Sequence, residues 1–303
     1  MAPIFTGSKF GFGRSAAEPV PFSATGGIVS TPGNGYKYHA FTHPGTPVNA
    51  PHPLSFIVQS AGPGLIEVFC VGGGGKGNGC GGGGGGAGAV LYKTSVPVTA
   101  QTYPVSVGQG ANWNAGGQPE SYYFQGGGTS SFGLGTPQPF SAPGGGTGGG
   151  HTFSSPFVDG QSGASGGGDA GNRNGGGYGG NAGPGTSATG GTNGSVSPPV
   201  GWGNPGGKGP DNNNGPGGAG GGAGGAGSGT SSGPGLVYSA FDGPLIGAPT
   251  IPSTYGVGGS GDGGASSPSP HPAPGTGNGG RSGPYCQGGM FGAPGIVIIR
   301  YLL

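Results

Sequence analysis

Six consecutive glycines occupy positions 81–86, and further runs stand at 72–75 and 220–222. A backbone without side chains gains nothing from apolar burial and loses more conformational freedom on ordering than any other. Such segments order only if something outside them takes up their amide and carbonyl groups. The demand is chain-wide, because 88 of 303 residues are glycine and 32 are proline. Charged residues make up only 6% and the formal net charge is +1, so the charge repulsion that keeps many low-hydrophobicity chains open is missing. The glycine segments therefore either pack through backbone contacts or act as linkers.

Nine Lys and Arg spread over the whole length form no basic cluster that would neutralise phosphates, so no nucleic-acid partner is expected. No run of about 18 apolar residues occurs, and the start lacks a basic and apolar leader. Neither membrane insertion nor a signal peptide is expected. The lysine in Gly-Gly-Gly-Gly-Lys76-Gly-Asn is not followed by Ser or Thr and a helix, as a phosphate loop requires. The histidines and the eight carboxylates are scattered without metal-site or paired-acid spacing. No cofactor, no metal and no enzymatic activity are expected. Three cysteines, Cys70, Cys80 and Cys286, are too few for a disulfide framework.

Short β-type runs bounded by Gly or Pro crowd the first half: Tyr36–Thr42, Leu54–Ser60, Leu65–Val71, Ala89–Tyr92, Thr102–Val107, Tyr122–Phe124 and Thr129–Leu134. They are rich in Val, Ile, Tyr and Phe and carry no helical period. The chain closes on Gly-Ile-Val-Ile-Ile-Arg-Tyr-Leu-Leu, 295–303. Burial of each such side chain is worth about 1.5–3 kcal/mol. The closing run is thus expected as a central strand beside Leu65–Val71.

The expected fold is all-β with essentially no α-helix: a small antiparallel β-sandwich closed by the C-terminal strand. Into it is inserted a bundle of extended polyglycine II-type helices, with three residues per turn and lateral hydrogen bonds. Interruptions of the glycine period exclude collagen. The expected divisions are an N-terminal docking segment and linker at 1–35, a β-domain at 36–142, the glycine-rich insertion at 143–292 and the closing strand at 293–303. A loop at 236–255 is expected to project from the insertion.

Val-Gly-Gly-Gly-Gly (71–75), Thr-Ser-Ser-Phe-Gly (129–133) and Gly-Ile-Val-Ile-Ile-Arg-Tyr (295–301), separated by glycine runs, resemble the glycine-rich domain of phage tail-fibre and related virion proteins. The opening Met-Ala-Pro-Ile-Phe-Thr-Gly-Ser-Lys-Phe-Gly-Phe-Gly resembles starts of structural proteins in viruses of marine cyanobacteria. Glycine-helix sandwiches also occur in fibre-tip adhesins of tailed phages, where loops between helices touch the host receptor. The resemblance implies a virion structural protein, exposed on the particle, homotrimeric or fibre-attached, and involved in host attachment. Other expectations open from the sequence are a capsid- or neck-decorating scaffold and a cellular glycine-rich wall or matrix protein. Phe5, Phe10 and Phe12 are expected to dock on other virion proteins. Tyr238, Phe241, Tyr255 and Trp202 are expected to contact a host receptor or glycan, because side-chain-free helices cannot recognise anything.

Overall fold

The structure is a computed structural model that describes residues 20–43, 52–62, 64–79, 81–111, 126–152, 155–171, 203–209, 216–261, 272–283 and 289–303. Two five-stranded antiparallel sheets face one another. The first contains β1 (Ser23–Thr25), β4 (His52–Ser60), β7 (Thr102–Val107), β8 (Ser130–Phe132) and β9 (Phe140–Ala142), in that order. The second has the order β2 (Ile28–Ser30), β3 (Tyr36–Thr42), β14 (Ile296–Leu302), β5 (Leu65–Val71) and β6 (Val90–Pro97). Two small ribbons complete the regular structure: β10 (Gly150–Thr152) with β11 (Ser155–Val158), and β12 (Leu236–Val237) with β13 (Thr254–Tyr255). The described residues contain no α-helix, only one 3-10 turn at Ser239–Phe241.

The closing run lies at the centre of the second sheet. It pairs antiparallel with β3 on one side and with β5 on the other. Its side chains alternate between two cores, as the period of two requires. Val297, Ile299 and Tyr301 face the first sheet and join Phe41, Phe56, Val68, Tyr103, Val105 and Phe132. Ile296 and Ile298 face outward and join Tyr38, Phe69 and Val71. That second face would lie in water were it not covered by Phe241, Ile246, Ile251 and Tyr255 from the 236–255 segment. The segment expected to project is therefore folded down as a lid. A strand apolar on both faces needs two covers, and this loop supplies the second.

The stretch 1–35, expected as docking segment and linker, also holds structure in its described part. β1 and β2 sit on different sheets, joined by Gly26 and Gly27 at φ +118° and +64°. A Cβ on Gly26 would stand 2.2 Å from the Ser55 carbonyl oxygen. Only glycine turns this corner between layers. Strands of three residues are too short to leave a legible alternation.

The glycine segments order by a rule of three. Within 72–78, the amides of Gly72, Gly75 and Asn78 donate to the carbonyls of Ala89, Gly86 and Gly83. Those of Gly74 and Gly77 donate instead to Ala293 and Met290, and that of Gly73 to Gly128. Each third residue returns to the same neighbour. Segment 81–89 is fully surrounded. It donates to 143–149, 216–221 and 277–280, and accepts from 72–78, 165–168 and 259. Hydrogen bonds of 2.7–3.0 Å tie it to these neighbours. Some lie parallel to it (Gly84 to Gly218, Ala87 to Gly221) and some antiparallel (Gly83 to Gly149, Gly86 to Gly146).

This lattice takes in segments on both sides of residue 142, including 72–89, 108–111 and 126–128. The expected boundary between a β-domain and a glycine insertion thus runs through one woven body. All of these segments leave the sandwich at the same end: after β5, before β6, after β7, before β8, after β9 and before β14. Val20 and Leu303 lie at the opposite end, the latter donating its amide to Gly35 at 3.0 Å.

A prediction follows from the closeness of the segments. A Cβ on Gly75 would stand 2.0 Å from the Gly146 carbonyl oxygen, whereas one on Gly126 meets nothing nearer than 3.1 Å. Gly75→Ala should lower unfolding free energy by about 1–3 kcal/mol, and Gly126→Ala by much less. Equal urea midpoints for the two variants would contradict the lattice.

Candidate interaction site

The expected receptor residues converge, but beneath a surface. Tyr238, Phe241 and Tyr255 all pack on Phe69 of β5, with ring centroids at 4.9, 4.5 and 4.8 Å. Phe241 and Tyr255 are fully buried and Tyr238 is half-buried. The Tyr255 hydroxyl donates to the Phe241 carbonyl at 2.5 Å, which closes the loop on itself. Burial pushes the Tyr255 and Tyr238 phenols above their ordinary range. As placed, the Phe241 and Tyr255 rings anchor the lid and offer no face to a receptor. The lid instead turns Val237, Ser239, Pro244, Pro249, Thr250 and Pro252 to solvent. Trp202, Phe5, Phe10 and Phe12 lie outside the described residues, as do Cys80 and Cys286.

Beside the lid, the sequence reading missed a polar cluster. Arg300 of β14 bridges to Glu67 of β5 at 2.7 Å. It also donates to the hydroxyls of Tyr92 at 3.1 Å and Tyr38 at 3.4 Å. Tyr92 donates its hydroxyl proton to Glu67. The guanidinium lies 4.2 Å from the Tyr36 ring centroid and 5.0 Å from that of Phe241. Burial works against the charge of Arg300, but its bonds to Tyr38 and Glu67 more than offset it and hold the group protonated. Burial, then the bond to Glu67, pushes the Tyr92 phenol up to about 12. Arg300 stands opposite Glu67 in the ladder, so the cross-strand pair was available once the two strands were placed side by side. Its chemistry is that of a clamp between sheet and lid: the acid is paired, and each of the three nitrogens of the base has a partner.

Other ionisable groups are also committed. The Cys70 thiol is free and buried, with its pKa raised by burial. One oxygen of Asp169 accepts amide protons from Gly209 and Gly218, each at 2.7 Å, taking the place of a lattice carbonyl. No group of three His, Cys, Asp or Glu able to hold a metal occurs among the described residues. No described helix is long and apolar enough to cross a membrane.

With the sandwich and its woven glycine body in view, the family match fits the geometry. Residues 55–302 match the glycine-rich domain family, from within β4 to the end of β14. The chain belongs to that glycine-rich domain family. No curated protein matches the sequence. The span of the glycine-rich domain includes both partners of the Glu67–Arg300 clamp, but not β1, β2 or β3, which extend the two sheets beyond it.

His39, inside the sandwich, gives a test of the core. Its Nδ1 lies 2.7 Å from the Gly26 carbonyl oxygen, and its ring stacks on Tyr301. Burial, chiefly, lowers its pKa from the ordinary 6.5, against the bond to Gly26, which raises it. Above that ordinary value both folded and unfolded chains carry neutral imidazole, and His39 adds no pH dependence. As pH falls below it, the unfolded chain takes up a proton that the folded chain refuses, and stability drops until the folded pKa is reached. Between about pH 7 and 5, unfolding free energy should therefore fall less steeply in His39→Gln than in the parent. Parallel slopes would remove His39 from this role.

Proposed function

We propose that this chain is a structural protein of a phage particle, a fibre or surface-projecting component involved in host attachment. What supports the reading is the polarity of the molecule. Val20 and Leu303 lie at one end of a β-sandwich, and the described glycine segments gather at the other. In this reading the base attaches and the glycine body projects. The lattice segments are polyglycine II-type helices, for which the return of each third amide to the same neighbour is the support. Such a body is stiffened by its own backbone and has no side chains of its own for binding. Recognition of a host receptor or glycan then falls to the connections between lattice segments. Trp202 stands in one of them, between segments 155–171 and 203–209. Phe5, Phe10 and Phe12 belong to the attachment end, where they meet other virion proteins. The protein assembles as a homotrimer, resides on the virion and carries out no reaction.

The particle reading is tested by location. Gold-labelled antibodies against the purified chain should decorate intact particles from lysed cultures that carry its gene. Label confined to cell envelopes, with bare particles, would overturn the proposal and favour a wall or matrix protein.

A further inference from the structure

At the base of the sandwich, away from the glycine body, a cleft of about 290 Å³ opens between the ends of four strands. Phe22, Tyr36, Leu65, Ser95, Tyr301 and Leu302 line it. Phe22 and Tyr301 form one wall, with ring centroids 4.3 Å apart. Glu67 reaches the cleft as well, but its charge is already paired with Arg300. The cleft is thus an apolar recess without an unpaired ion. Its rim is apolar and wet: Leu65 is 56% exposed and Leu302 67%, with Leu303 beside it at 73%. Exposed leucines side by side at the mouth of a recess offer an apolar surface to another chain segment.

A second observation concerns how the cleft is made. The ladder between β5 and β6 shifts register between Ile66 and Val68, so that β6 carries an extra residue opposite Glu67. Ser95, in this bulge, has φ +55°, and it is the one described non-glycine residue with positive φ. Bulges re-aim a strand, and a side chain held in the left-handed region is strained unless its surroundings require it. Here Ser95 of the bulge stands on the cleft wall, while Val96 and Pro97 beyond it pair again with Ile66 and Leu65.

We propose that this cleft seats the protein's own N-terminal segment through the rings of Phe10 and Phe12. The described chain begins at Val20, which lies against Gly62, two residues from Gly64 on the cleft wall. Nineteen residues containing Phe5, Phe10 and Phe12 precede it. From Phe12 to Val20 the chain spans at most roughly 27 Å, enough to turn back over the base. In extended form Phe10 and Phe12 point to one side, and Gly11 and Gly13 leave the backbone free to lie against the rim. The cleft, at the lower limit of small-molecule sites near ~300 Å³, suits one or two side chains. A tether this short raises the effective concentration of the rings to about the millimolar range, which favours the chain's own segment over that of another copy. The proposal does not rest on the particle reading. If that reading holds, the attachment partner competes with this cleft for the same rings.

The test uses the purified full chain with photoreactive benzoylphenylalanine placed at Phe12. Illumination should cross-link it within one chain to residues 64–66, 95 or 301–302. In a mixture of light and heavy isotope-labelled protein, cross-linked peptides of mixed mass would show exchange between copies. That result, cross-links at other places, or none at all would overturn the proposal. Leu65→Asp and Leu302→Asp change exposed residues and leave the cores intact. Each should lower the cross-link yield by about tenfold, because a carboxylate would have to be buried beneath the rings. An unchanged yield would also overturn it. Capture of a different protein at Phe12 in lysate, with no cross-link in the purified chain, would assign the segment to that partner instead.

Discussion

Every glycine segment of this protein must find hydrogen-bond partners on several sides at once. A β-strand bonds left and right in one plane, and its two faces are then covered by side chains. A segment that turns one third of a circle per residue bonds in three directions with its amides and in three more with its carbonyls. Segment 81–89 meets this demand with six neighbours. No pair of such segments could stand alone, because most of their polar groups would remain unpaired, and glycine loses the most entropy on ordering. The lattice forms only as a group. The sandwich makes the group available by sending segment after segment out of the same end. Gly72, Ala89, Gly108, Pro143 and Gly295 are all one residue beyond a strand, or one before it. The sheets thus serve as a template that brings the first residues of many segments to neighbouring positions.

The template depends on its central strand. β14 binds β3 and β5 and divides its side chains between two cores. One core unites the two sheets. The other is capped by the 236–255 lid, whose ends join the lattice at Gly235 and Gly256. Phe69 connects these parts: it stands in the sheet, stacks on Phe241 and touches Tyr238 and Tyr255. The Glu67–Arg300 pair beside it is half-buried and enclosed by Tyr36, Tyr38 and Tyr92. Its worth lies less in Coulomb energy, which exposed or half-exposed pairs seldom return, than in fixing which strand lies beside which. A one-residue slip of β14 would send Arg300 into the apolar core with His39 and Phe56.

Much of the sandwich was legible because its long strands carry their own pattern. Leu65–Val71 alternates between two faces, and the closing Ile-Val-Ile-Ile is too apolar to be left in water. The pairing of these two strands follows from those facts alone. The short strands β1, β2, β8 and β9, with three residues each, were legible only in part, since three residues do not establish a period. The lid was misread for a different reason. Aromatic residues in a glycine context look like loop-tip contacts when the face they cover is unknown. Only the outward half of β14, Ile296 and Ile298, implied that a cover was missing. The same facts leave Tyr238 in an intermediate position, half-exposed at the lid's edge.

The lattice separates two kinds of sequence change. Inside it, the rule is the absence of a Cβ: at Gly74, Gly85 and Gly292 an added carbon would meet a carbonyl oxygen at 2.0–2.2 Å. The exceptions among its buried residues are small or specifically bonded. Ala87, Ala164 and Ala219 fit where a methyl finds room, while Asp169 and Asn78 replace or supplement backbone partners with their own polar atoms. At Gly229, in the described turn between segments 216–227 and 231–235, the restriction lifts, and an added carbon would meet nothing within 4 Å. The cohesion of the body thus rests on backbone groups, which a change of side chain at such a turn leaves in place.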